Sequence, residues 1–75
     1  MDFESLEVFY ISYIRFGLEN NVDYNYAKLG NKMLHKFCEN IVDNSNYADK
    51  AAKKQELELI KESLSQEIDA HYQHK

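Results

Sequence analysis

Three kinds of side chain in this sequence could do chemistry: histidine with cysteine, clustered lysine, and runs of carboxylate. His35 and Cys38 stand three apart, and His71 and His74 repeat that spacing near the C-terminus. On a helix, a spacing of three brings two ligands to one side, as a zinc site needs. A closed zinc site takes four cysteine or histidine ligands, and paired cysteines are its strong mark. With a single cysteine in 75 residues, the simpler expectation is no metal, with Cys38 on a buried edge and His35 facing solvent.

Lys28, Lys32 and Lys36 form an i, i+4, i+8 stripe, and Lys50, Lys53 and Lys54 a second basic cluster. Either could contact phosphates, and three helices could contain a helix-turn-helix. A dimeric DNA-binding regulator using the Lys28/Lys32/Lys36 face is therefore one alternative. Against it, no tight glycine-bearing turn joins two helices, and the formal charge of the chain is −4. Phosphate binding needs concentrated positive charge, so a solvated lysine face opposite a core face is preferred. Glu56, Glu58, Glu62, Glu67 and Asp69 alternate with lysines at helical spacing, as exposed faces do. Paired catalytic acids need a cleft that shifts their pKa values. The sequence has no Ser/His/Asp or Cys/His arrangement, no glycine-rich phosphate loop and no nucleotide motif. The expectation is a protein that is not an enzyme, with no cofactor and no small-molecule substrate.

One short stretch, Ser65-Gln66-Glu67-Ile68-Asp69, resembles the Ser-Gln-Glu-Leu-Asp signature of the small sporulation phosphatases, with Ile68 in place of leucine. The resemblance covers five residues. It implies a two-helix hairpin that dephosphorylates the receiver domain of a response regulator, with loss of activity on Asp69→Ala. In that family the motif opens the second helix after a glycine-bearing turn, whereas here it falls at the end of a long helical stretch.

The elements that must position these groups follow from hydrophobic spacing. There is no proline and no low-complexity tract; Asn20-Asn21 and Asn44-Ser45-Asn46 divide the chain into three segments. Each reads as a helix, over about 3–19, 24–42 and 46–72. In the first, the apolar and aromatic residues between Phe3 and Leu18 fill an arc of about 220°, where a surface helix needs roughly 100°. A β-strand over Val8–Phe16 is the rival, but no comparable strand exists to pair with it. In the second, Leu29, Met33, Tyr26, Phe37, Gly30, Ile41, Leu34, Ala27 and Cys38 form the apolar arc, which predicts that they face the core. Gly30, costly inside a helix, is expected to admit a close neighbour. The third helix should be capped by Ser45 or Asn46. Its stripe is narrow, Leu57, Ile60, Leu64, Ile68 and Tyr72, and at about 40 Å it should overhang the core.

These readings converge on an all-α three-helix bundle in one domain, residues 1–75, with a central first helix and a long C-terminal helix extending past the core. The acidic start and the short, interrupted apolar run fit neither a signal peptide nor a membrane span. The lone cysteine fits a reducing compartment, so a soluble cytoplasmic protein is expected. The surplus apolar surface predicts a non-catalytic protein-binding module, most simply a homodimer: a small regulator, inhibitor or immunity-type protein. The A/T-codon bias of the composition associates it with a phage or mobile element. Phe9, Tyr13 and Phe16 are the expected binding residues on the first helix, and Leu64, Ile68 and Tyr72 on the overhang, because desolvated aromatics dominate binding energies.

Overall fold

Asp2 opens the first helix by accepting the Ser5 amide on its carboxylate at 2.7 Å, which satisfies one of the donors a helix start leaves unpaired. The computed structural model describes residues 1–73. In it α1 (Phe3–Glu19) runs straight through Gly17 and ends on asparagine. Asn21 takes a left-handed backbone (φ 55°). Its amide donates to the Leu18 carbonyl at 3.1 Å, and the next amide, of Val22, donates to the Gly17 carbonyl at 3.2 Å. This pair of bonds is the usual left-handed helix terminator, and asparagine tolerates that backbone better than other residues with a Cβ. Val22 is thereby turned inward, against the core.

Asp23 then caps α2 (Tyr24–Asp43) by accepting the amides of Asn25 and Tyr26. The third helix, α3 (Lys50–Gln73), starts four residues later than the spacing predicts. Its cap is Asp49, at φ 49°, whose carboxylate accepts the Ala52 amide at 3.2 Å. The reason is Tyr47. Its ring meets Phe3 edge-on at 6.0 Å and its hydroxyl donates to the Met1 carbonyl. The connecting residues are spent on closing that end of the bundle.

All three segments are α-helical and pack together, and no strand occurs among the described residues. Leu6, Tyr10, Ile14 and Leu18, each four apart, form the inner stripe of α1. They meet Ala27, Cys38 and Val42 of α2 and Leu57, Leu64 and Ile68 of α3. Two expectations about arrangement need correction. The closest pair is α2 with α3, and α1 packs less extensively against both, so α1 is not central. Nor does α3 overhang. At 24 residues it outruns the 17 of α1, but α2 lies along it from end to end. Lys54 reaches the Asp43 carboxylate at 3.0 Å at one end, and the Tyr72 hydroxyl donates to the Val22 carbonyl at the other. No helix among the described residues is long and apolar enough to cross a membrane.

Candidate docking face

The side of α2 that meets the core is not its most apolar side. Buried on α2 are Ala27, Asn31, His35, Cys38 and Val42, while Tyr26, Leu29, Met33 and Phe37 stand exposed. At 100° per residue the two sets are centred about 155° apart. The predicted core arc of α2 is therefore turned outward for Tyr26, Leu29, Met33 and Phe37, and His35, expected in solvent, is inside. The cause is visible on α1. Tyr10 sits in the middle of the inner stripe, fully buried, and a buried hydroxyl needs a partner. It donates to the Asn31 side-chain oxygen at 2.5 Å, and Asn31 in turn donates to the Lys61 carbonyl of α3 at 3.0 Å. One polar chain thus ties all three helices, and forming it sets the rotation of α2. Burial, with lesser contributions from Cys38 and Glu58, holds the Tyr10 phenol well above its ordinary pKa.

The outward side of α2 lies beside the outward flank of α1. Phe9, Tyr13 and Phe16 are exposed as expected, with Phe9 and Tyr13 in ring contact at 6.1 Å. Two grooves run between the helices. One of about 220 Å³ is floored by Gly17, Ala27 and Gly30; the other, of about 380 Å³, lies between Tyr13 and the Leu29, Met33 and Phe37 side chains. Both share Tyr13, Tyr26 and Gly30. Gly30 admits no neighbour within the chain, for a Cβ built there meets nothing within 4 Å. The seven large side chains are 42–69% exposed; at about 200 Å² each they put roughly 800 Å² of apolar surface in water. The largest such patch on a typical monomer is roughly 300–600 Å². Charges flank this face rather than enter it. By helical position Lys32 and Lys36 edge it on α2, and Glu19 on α1.

The second expected binding set is not a surface. Leu64 and Ile68 are buried in the core, and Tyr72 is partly buried, with its ring against Tyr24 at 5.5 Å. They were expected on an overhang, and α2 covers them because it is nearly as long as α3. The lysine stripe is divided. The Lys28 ammonium donates to Ser65 Oγ at 2.7 Å and to Asp69 Oδ1 at 3.0 Å, while Lys32 and Lys36 are exposed. The Ser65–Asp69 stretch is engaged across the bundle. Asp69 also accepts the Tyr24 hydroxyl at 2.6 Å, and these bonds from Tyr24 and Lys28 hold its carboxyl below the usual range. Glu67 makes a two-pronged pair with Arg15, and Ile68 faces the core. His35 Nε2 lies 3.1 Å from a Glu58 carboxylate oxygen without hydrogen-bond alignment. Cys38 is fully buried, and burial pushes its thiol up to about 11. Among the described residues no group of three or more His, Cys, Asp or Glu side chains is placed to hold a metal, and His74 lies outside those residues.

Sequence reasoning missed Tyr26, Leu29, Met33 and Phe37 as surface residues. The available signal was Tyr10 on the inner stripe of α1, which asks for a polar residue opposite and so for Asn31 to point inward. Comparison with known families, with curated proteins and with solved structures finds no match to this chain.

Proposed function

We propose that this protein is a non-catalytic protein-binding module that works through the face shared by α1 and α2. The observation that carries the reading is the inverted α2, which exposes Tyr26, Leu29, Met33 and Phe37 beside Phe9, Tyr13 and Phe16. Water-exposed aromatic and methionine side chains in one patch, edged by charge, have the composition of an interface centre with a polar rim. The groups with chemically capable side chains support the same reading from the other side. Lys28, Ser65, Asp69, Arg15 and Glu67 serve as ties between helices, and Asn31 and Tyr10 satisfy each other in the core. A small regulator, inhibitor or immunity-type protein acts in this way, by occupying a surface. The buried thiol of Cys38 suits a reducing compartment such as the cytoplasm.

The test is a pair of charge insertions, Tyr26→Asp and Met33→Asp, compared with the wild type in capture of binding partners from the native host. Both positions are exposed, so the helical content and melting temperature of the isolated chain should change little. Capture should be lost in both variants. Undiminished capture would remove this face from the account.

A further inference from the structure

We infer that the occupant of this face is a second copy of the chain, docked with α1 of each protomer over α2 of the other. The inference rests on the proposed docking face and adds to it the partner and the orientation. Area is the first argument. A stable interface hides about 800 Å² on each partner, and the exposed apolar surface of the face amounts to roughly that. A self-complementary contact would take all seven of these side chains out of water on both protomers at once.

Charge decides the orientation. Among the described residues, Lys32 and Lys36 meet no carboxylate within their own chain, and Glu19 meets no cation. The α2 edge of the face is thus basic, and the α1 edge carries an acid. Two face-to-face arrangements are open to an antiparallel helix pair. A two-fold axis across the helices would stack α2 on α2 and set lysine edge against lysine edge. An axis along the helices stacks α1 on α2 of the partner, and each lysine edge then meets the edge that carries Glu19. The second arrangement alone keeps lysine from lysine, and like-charge juxtaposition suppresses the first. Gly30 fits this picture, since it leaves the floor of the groove open where nothing in the same chain approaches. The product is a four-helix layer of antiparallel neighbours, with the two α3 helices on its outer sides.

Sedimentation equilibrium on the full chain at 1–200 µM, about the range of weak to moderate complexes, is the decisive measurement. The expected mass is twice the 8.9 kDa of the chain, with dissociation strengthening as salt rises from about 50 to 500 mM. Lys32→Glu with Lys36→Glu should weaken the dimer about tenfold or more, because both edges become acid against acid. Glu19→Lys should weaken it too, by a smaller factor. All three substitutions in one chain restore complementary edges and should bring affinity back to within about threefold of wild type. A dimer that tightens with salt, or that the combined exchange fails to restore, would overturn the orientation. A monomer throughout the range that still binds an apolar dye, with binding lost on Met33→Asp, would overturn the second copy while leaving the docking face. A monomer that binds no dye would overturn both.

Discussion

On its inner side α2 buries Asn31 and His35; on its outer side it leaves Tyr26, Met33 and Phe37 in water. In a small lone domain hydrophobicity alone would choose the reverse, since burying one such large side chain contributes roughly 1.5–3 kcal/mol. The inner side is instead selected by a directional requirement, the hydroxyl of Tyr10, which only a polar partner can meet. The outer side is then left to a non-directional force that acts between molecules. The two sides of one helix divide the work: polar specificity inside sets the rotation, and the apolar surplus outside is available for association.

The sharpest way to break this comparison is to truncate one residue on each side. Leu57→Ala and Ile68→Ala remove fully buried side chains and should each lower unfolding free energy by about 2–5 kcal/mol. Phe37→Ala and Met33→Ala should change it by about 0.5 kcal/mol or less at concentrations where the chain is monomeric. Urea unfolding of the four variants reads this directly. Comparable losses on both sides would mean that the outer side chains are already covered within one chain.

The polar tie comes next in size. Asn31→Ala strands the Tyr10 hydroxyl and leaves the Lys61 carbonyl without its donor, and should cost about 1–3 kcal/mol. Tyr10→Phe should cost less, because it removes a group instead of stranding one. The double variant should fall short of the sum of the two. Asn31→Leu is the more informative substitution. With no acceptor facing Tyr10, α2 loses its reason to keep this rotation, and the spectra of Tyr26 and its neighbours should shift even if the chain remains helical.

This division explains what could be read from the sequence. Helix existence was legible, because period and asparagine punctuation are local properties, and so was the exposed flank of α1, whose arc was too wide for one contact. The core stripe of α3 was legible as a stripe; its burial was not, because it depends on α2, at 20 residues, running alongside the 24 of α3. The rotation of α2 was read wrongly because apolar count ranks Met33 and Phe37 above Asn31 and His35. A hydrogen bond 21 residues away in sequence does not enter that count. The start of α3 was missed for a similar reason, since Tyr47 is held by Phe3 and Met1 at the far end of the chain.

Alkaline pH probes the inner side without mutation. The Cys38 thiol is pushed from 9.0 up to about 11 by burial, so the folded state keeps a proton that the unfolded chain releases earlier. Its contribution is fully present below pH 9 and is lost as pH rises from there through 11. Tyr10, raised by burial as well, adds to the same decline at higher pH. Thermal melts should therefore show a steeper loss above pH 9 than in Cys38→Ala, which starts from a lower stability but loses less of it. Parallel curves would mean that the thiol is reachable by solvent.

Gly30 offers the smallest effect and the one with the clearest sign. It lies within α2, not at an end, where glycine is about 0.8–1.0 kcal/mol less favourable than alanine. A Cβ there meets nothing within 4 Å, so Gly30→Ala gains helix propensity without a clash inside the chain. Urea unfolding of the monomer should show an increase of up to about 1 kcal/mol. Across an interface the same methyl group fills the open floor of the groove and holds the partner off, so association should weaken as the monomer strengthens. Opposite signs in the two measurements separate a glycine retained for a neighbouring molecule from one that is merely tolerated, for which both quantities would rise together.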